Sequence, residues 1–425
     1  MQQKTSTKQY GGRVMKSYEK YISKDNIEKI HEKTLYILEN IGILVEHEKA
    51  REMLKNHGAN VEGKVVKLSR DIVENALKLA KRTFEIYSWG SEEPITVGNG
   101  SKLYAPAAGN IYMLDDGRIR KSTNDDAIGL FKLSDTSPIT RLTFCNILPD
   151  QTGLTEEQRM FGTVALGLKY TNKNKLTSVA IPCMFKIPVE RIYDEFVKGI
   201  RLMKEFHGYG DKTVTTTIIN TLSPLAITAE EIEKTKALAD ENQAICYSPC
   251  TMPLMTGPAA VAAMLATANA EVLMGYVISK LYNPNVNFIY GNVSGSSDMK
   301  SVQLSLGAPE TTLMIYATAG LADFYGLPFR TGGALSDAKQ IDMQAGIEST
   351  FNSFATIDSG ADMLLHAVGT LGTFNIASYE KFILDEEIFM MTERQLRGID
   401  CSDEMFLLDE DRKSTRLNSS HPLDL

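Results

Sequence analysis

The chain has 425 residues, of which 43% are hydrophobic and 23% charged, with a formal net charge of −8. That length and apolar content suit a globular protein with a large core, and the acidic balance, with no Lys/Arg run, argues against nucleic-acid binding. The five cysteines (Cys145, Cys183, Cys246, Cys250 and Cys401) are odd in number and scattered, which points to reduced thiols and a cytoplasmic location.

Residues 1–22 are polar and expected to be mobile, with no apolar run that would make a secretory signal. A helix is predicted from Asp25, where Asp25-x-x-Glu28 resembles a capping box, with Ile27, Ile30, Ile37, Leu38 and Ile41 at helical spacing and Gly42 as its end. A second helix is predicted over Glu48 to Asn56, and a third after Ser69. From Phe84 to Lys121 the pattern changes to short runs with Gly and Asn-Gly turns. Phe84-Glu-Ile-Tyr, Lys102-Leu-Tyr and Ile111-Tyr-Met-Leu read as strands of a small antiparallel layer, with Asp116-Gly117 as a hairpin turn.

After Asp125 strands and helices alternate. Strands are predicted at 141–147, 177–181, 213–219, 244–248, 287–291, 329–332 and 363–368, and helices at 156–168, 189–207, 229–241, 258–281, 309–324 and 338–359. Thr228-x-x-Glu231 is a capping box for one of these helices. The segment from Pro258 to Tyr282 is apolar enough to mimic a membrane span, yet Asn269 and Glu271 at its centre favour a buried helix, so no membrane contact is expected. Such alternation over about 250 residues points to an α/β fold, a (β/α)8 TIM barrel. The eighth strand is expected near or beyond Phe374. An N-terminal helical and small β segment (23–125) precedes a barrel domain (126–410). Residues 411–421, DRKSTRLNSSH, resemble a translated sequencing adapter; 411–425 are therefore expected to be a non-native tail on a barrel truncated at its C-terminus. Without that tail the charge is −9, so the acidic reading stands.

No HxH, HExxH, Cys/His cluster or nucleophile elbow occurs, so no metal site is expected. Cys246 and Cys250 could be half of a zinc site, against the default of buried structural cysteines. Aromatic and polar residues fall instead at predicted strand ends, where barrel side chains converge. Tyr247, Tyr290, Phe329 and Phe374, with Tyr104 and Tyr112 from the antiparallel layer, are candidate walls for a quaternary ammonium, which has no N–H and is held by cation–π contact; packing in the core is the competing reading for each. Arg330 and His366 are candidate holders of a substrate carboxylate. Asp298 and Asp337 are candidates for shaping the mouth or complementing the cationic head. Tyr325 to Gly346 reads as a strand, a Gly332-Gly333 hinge and a polar helix start with Asp337, Lys339 and Asp342, which could equally be a salt-bridged helix terminus.

That last segment, YGLPFRTGGALSDAKQIDMQAG, resembles the catalytic region of the trimethylamine methyltransferase superfamily. The resemblance extends along the chain through Ile37-Leu-Glu-Asn-Ile-Gly-Ile, Asp115 to Asp125, Ser223-Pro-Leu, Ala270-Glu-Val-Leu, Tyr290-Gly-Asn, Asp298-Met-Lys, Gly307-Ala-Pro-Glu, Gly360-Ala-Asp and Phe382-Ile-Leu-Asp. It implies a TIM barrel that passes a methyl group from a methylated amine to the cobalt of a corrinoid carried by a separate partner protein, with no tightly bound cofactor and a homo-oligomeric assembly. The founding members carry a pyrrolysine, and Leu335 stands at the corresponding position here. The resemblance therefore points to the branch without pyrrolysine, associated with glycine betaine, proline betaine, carnitine and related quaternary amines. Two other readings are a TIM-barrel enzyme of another kind acting on a small carboxylate, and a non-catalytic betaine-binding protein.

Overall fold

Eight short parallel strands carry the fold in the computed structural model, which describes residues 16–89, 93–143, 148–170, 176–177 and 187–406 and the two-residue strands Gln9–Tyr10 and Arg13–Val14. The strands are β1 (Leu103–Pro106), β2 (Leu142–Thr143), β3 (Leu176–Thr177), β4 (Thr216–Ile219), β5 (Ala244–Tyr247), β6 (Phe288–Gly291), β7 (Phe329–Gly332) and β8 (Met363–Val368). Six form one parallel sheet in the order β4-β5-β6-β7-β8-β1. A parallel bridge between Tyr104 and Thr140 continues it towards β2, which pairs in parallel with β3. Among the described residues no pairing joins β3 to β4. The curled six-stranded sheet, with helices between its strands, is of TIM-barrel type.

This order corrects two expectations. Leu103–Pro106 does not belong to the small antiparallel layer but pairs in parallel with β8. It is thereby the eighth parallel strand, which was expected near or beyond Phe374. Ile376–Ala377 instead joins Tyr112–Asp115, Arg118–Lys121 and Thr370–Leu371 in a separate four-stranded sheet. That sheet contains the predicted Asp116-Gly117 turn, both of whose residues have positive φ. Cys145, Cys183, parts of two predicted strands (144–147 and 178–181) and the 411–425 tail lie outside the described residues.

The helices are α1 (Lys24–Tyr36), α2 (Glu48–Asn56), α3 (Arg70–Leu77), α4 (Asn124–Thr136), α5 (Glu156–Tyr170), α6 (Val189–His207), α7 (Ala229–Asp240), α8 (Val261–Tyr282), α9 (Pro309–Tyr325), α10 (Met343–Asp358) and α11 (Tyr379–Leu396). Ser23, not Asp25, caps α1 by accepting from the Asn26 N–H, and a π turn over Ile37–Ile41 closes on Gly42 at φ 82°. Thr228 caps α7 through the Glu231 N–H.

α8 is long and apolar enough to cross a membrane, but it is buried almost throughout, which explains an apolar composition on all sides. Its two central polar residues are junctions. The Asn269 amide donates to Thr34 Oγ1 (2.9 Å) and the Tyr325 hydroxyl (2.7 Å), and its Oδ1 accepts from the Tyr290 hydroxyl (2.8 Å). The Glu271 carboxylate accepts from Thr221, from Ser223 Oγ (2.8 Å) and from the Leu225 N–H (2.8 Å). Two sequence signatures far apart in the chain, Ser223-Pro-Leu and Ala270-Glu-Val-Leu, are therefore two sides of one contact.

The inner layers of the sheet are Leu103, Ala105, Leu142, Ala244, Cys246, Ile289, Met363 and Leu365, one cluster with Phe84, Ile86 and Val97 of an antiparallel hairpin. Leu103, Ala244 and Met363 begin their strands, so the hairpin covers the N-terminal end of the barrel and the opposite end is left for chemistry.

Candidate active site

Alternation decides which nominated residues can meet a ligand. Where Ala244 and Cys246 face inward, Ile245 and Tyr247 must face the helices. The same parity turns Tyr104, Tyr290 and Phe329 outward. All four aromatics belong to the cluster shared with the helices. Tyr104 hydrogen-bonds Glu393 of α11 and packs edge-on against Phe389. Tyr247 shares a 2.7 Å hydrogen bond with Thr235 of α7 and stacks on Phe288. Tyr290 is held by Asn269. These are shell residues, which corrects their nomination as ammonium walls.

Arg330 has the opposite parity. It is 3% exposed, and its Nη1 donates to Ser248 Oγ at 2.8 Å, across from β7. Its Nε has no hydrogen-bond partner among the described residues. No carboxylate pairs with it there, and burial lowers its guanidinium from the usual range. Cys246 and Cys250 lie close enough to act on it electrostatically, and burial pushes their thiols up to about 12 and about 11, so both are neutral. Among the described residues no cluster of three or more metal-ligating side chains occurs. A buried guanidinium without a counter-ion is costly, and an anionic ligand would relieve that cost.

His366 interrupts β8. Its φ is +51°, and the register with β1 slips between Leu364 and Val368. Such a bulge re-aims one side chain, and left-handed backbone at a histidine is a strained feature found around sites. The His366 ring lies 4.6 Å from that of Phe374 at 52°. Burial, with Arg330 adding to it, holds His366 down to about 3, so the ring is neutral at ordinary pH. It can therefore face a carboxylate only as a neutral donor, and it does not repel a cation. Because kcat/KM reports the free enzyme, His366 is expected to add no inflection to it between about pH 8 and about pH 5. An inflection near pH 6.5, removed by His366→Gln, would show instead that a charged imidazolium takes part.

Phe374 sits on a clamped loop. Thr373 and Phe374 have φ of +53° and +71°. The Asn110 amide donates to the Phe374 carbonyl at 2.7 Å, and Asp337 accepts from Thr373 Oγ1 at 2.6 Å. Asp337 also accepts from Ser305 Oγ (2.7 Å) and the N–H groups of Leu306 (3.0 Å) and Gly307 (2.9 Å). Asp337 thus ties together the loops that follow β6, β7 and β8. Tyr112 lies beside this loop, its N–H bonded to Asn375 O at 3.0 Å, and it is 37% exposed.

The rest of the glycine-hinge segment is scaffold. Residues 338–342 are not helical, and α10 begins at Met343 with Asp342 as its cap, accepting from the Ala345 N–H at 3.0 Å. Lys339 is exposed, and its ammonium donates to the Asp337 carbonyl. Asp298 is exposed too; its carboxylate closes its own turn through Lys300 N–H and Ser301 Oγ, so it does not shape a pocket. Gly333 is glycine because a Cβ there would lie 2.2 Å from Ala367 Cα. Leu335 is 2% exposed, covers Gly332, and borders a small cavity with Asn292, Thr318 and Thr331. α10 holds this loop by its carbonyls, Thr356 bonding Gly332 O, Ser349 bonding Ala334 O, and Asn352 bonding Leu335 O.

Sequence reasoning passed over Ser248 and Asn110. Ser248 was readable in principle, since it has the same parity as Cys246; Asn110 had no signal, because its partner is a backbone carbonyl far along the chain.

The profile of the trimethylamine methyltransferase family (MTTB) matches residues 2–416. The chain is 35% identical over 395 residues to the proline betaine:corrinoid methyltransferase of Eubacterium limosum, covering 91% of this chain and 79% of that one. It is 35% identical over 394 residues to the glycine betaine methyltransferase of Desulfitobacterium hafniense, with the same coverage. Among solved structures it resembles the monomethylamine methyltransferase of Methanosarcina barkeri, with a TM-score of 0.57 at 10% identity, covering 91% of this chain and 82% of that one. That likeness bears on the fold alone.

Proposed function

Because the chain belongs to the trimethylamine methyltransferase (MTTB) family, we propose that it demethylates a quaternary amine that also carries a carboxylate, a betaine, and delivers the methyl group to a corrinoid protein. The observation that carries this reading is Arg330, a buried guanidinium with a free Nε and no carboxylate partner among the described residues, beside a histidine kept neutral. Both relatives described above are named for betaines, which combine a carboxylate with a fixed cation.

Arg330 and Ser248 hold the carboxylate, Arg330 through charge-assisted hydrogen bonds. Phe374 offers a ring face to the ammonium, and neutral His366 lies between the two ends. The corrinoid of the partner protein supplies the nucleophile for the methyl carbon. The C–N bond breaks with its electron pair going to nitrogen, so the product is a neutral tertiary amine. No proton has to move, and the protein's share is to orient the substrate and exclude water. Leu335 fits this role, since a pre-activated quaternary substrate asks for no covalent helper at that position.

The test is methyl transfer to cob(I)alamin with glycine betaine, proline betaine, tetramethylammonium and trimethylamine as donors. Turnover is expected with at least one betaine and not with trimethylamine. Turnover of trimethylamine alone, or tight betaine binding with no methyl transfer, would overturn the reading.

A further inference from the structure

Left-handed backbone is ordinarily visited one residue at a time. Gly372, Thr373 and Phe374 adopt it in succession, with φ of +55°, +53° and +71°, and the Asn375 N–H closes the turn on the Gly372 carbonyl at 3.2 Å. Thr373 is β-branched, and a β-branched residue at positive φ is an outlier that its surroundings must hold in place. His366, the ring partner of Phe374, stands on left-handed backbone as well. Both rings of that contact are aimed by conformations that the chain would not keep unaided.

The segment after β7 holds the turn. The Gly372 N–H donates to the Ala338 carbonyl at 2.9 Å, and the Thr373 N–H to the Ser336 carbonyl at 3.1 Å. Between these two bonds, Thr373 Oγ1 donates to Asp337 at 2.6 Å. Each oxygen of that carboxylate accepts twice, Oδ1 from Thr373 and the Leu306 N–H, Oδ2 from Ser305 Oγ and the Gly307 N–H. The Asp337 N–H is in turn fixed by Glu348 of α10. Four donors fill the acceptor sites of a carboxylate, so Asp337 does not complement a cation directly. Its reach towards the substrate runs through Thr373.

We propose that Asp337 is a positioning residue: through the Thr373 hydroxyl it holds the left-handed turn that keeps the Phe374 ring against His366, and so forms the wall for the ammonium before substrate arrives. This rests on the reading above, in which Phe374 faces the cationic head. A quaternary ammonium offers no hydrogen bond that could order a loop as it binds, and a ring still to be ordered would lose affinity to that ordering. Asp337 also lies on the loop that follows the strand carrying Arg330, so one carboxylate sets the ring relative to the guanidinium.

Tetramethylammonium is the probe, because it has no carboxylate and leaves Arg330 aside. Thr373→Val keeps the shape of the side chain and removes its hydroxyl. It is expected to weaken tetramethylammonium binding, measured by calorimetry, about 3- to 30-fold, the worth of a cation–π contact. In methyl transfer to cob(I)alamin the loss should fall on KM with kcat not lowered. The charge on nitrogen fades as the C–N bond breaks, so the ring holds the bound substrate at least as firmly as the transition state. Thr373→Ser, which keeps the hydroxyl, is expected to restore binding, and in a Phe374→Ala background Thr373→Val is expected to add nothing. If Thr373→Val fails to fold, Thr373→Ala, which relieves the β-branching, is read in the same way. Weakening by Phe374→Ala without weakening by Thr373→Val, or two losses that add in the double variant, would overturn the proposal alone. No binding by the unaltered chain, or none lost in Phe374→Ala, would overturn the reading of the site and the proposal with it.

Discussion

Arg330→Gln is expected to lower kcat/KM for a carboxylated betaine by about 30- to 3,000-fold, the equivalent of roughly 2–5 kcal/mol for truncating one side of a buried charge pair. The loss should appear mainly in KM with kcat little changed, since the carboxylate is held in both the ground state and the transition state. Turnover of tetramethylammonium, which has no carboxylate, should change by less than about threefold, because removing an unpaired buried cation costs the empty site nothing. Arg330→Lys should not restore activity, since Ser248 and a carboxylate both depend on the planar fork. Equal losses for the two substrates would mean that Arg330 supports the fold rather than the ligand.

Asp385→Ala is expected to be the most destabilising single change, by about 3–5 kcal/mol. Lys381 and Asp385, one turn apart on α11, are 2% and 0% exposed and form an ion pair. Asp385 also accepts from the Gly369 N–H at 2.9 Å, while Lys381 donates to Ser349 Oγ at 2.8 Å and reaches the Ala334 carbonyl. The substitution strands a buried ammonium and an N–H at once, beside the loops that carry Leu335 and Phe374. The midpoint of urea unfolding should fall accordingly. The double variant Lys381→Met/Asp385→Leu should recover most of it, because an apolar pair of similar volume avoids the desolvation cost. A double variant no better than the single would show that hydrogen bonds to the loops, rather than the unpaired charge, dominate.

Much of the architecture was legible because the chain's local chemistry agrees with its fold. Glu48–Asn56 falls where predicted, and five of the predicted strands overlap β4 to β8. The misses have a common physical origin. Asp25-x-x-Glu28 and Ser23 compete for one helix end, and only the geometry of the Asn26 N–H decides between them. Lys102-Leu-Tyr sits among hairpin signals, and nothing local says that its partner is β8, some 260 residues away. Asp298 and Asp342 carry the residue types of a site and the contacts of a turn and a cap.

The order of elements, the position of Arg330 on a strand and of His366 in an apolar run, and the family itself were determined by the residues alone. Which of them face one another was not. A barrel strand buried on both sides reads as a continuous apolar run, so period two is present in the backbone and invisible in the composition. Tertiary structure set that parity. It placed Tyr104, Tyr247, Tyr290 and Phe329 against the helices and Arg330 beside Ser248 inside. It also put a bulge at His366 that no propensity announces, because left-handed backbone at a histidine is held only by the packing around it.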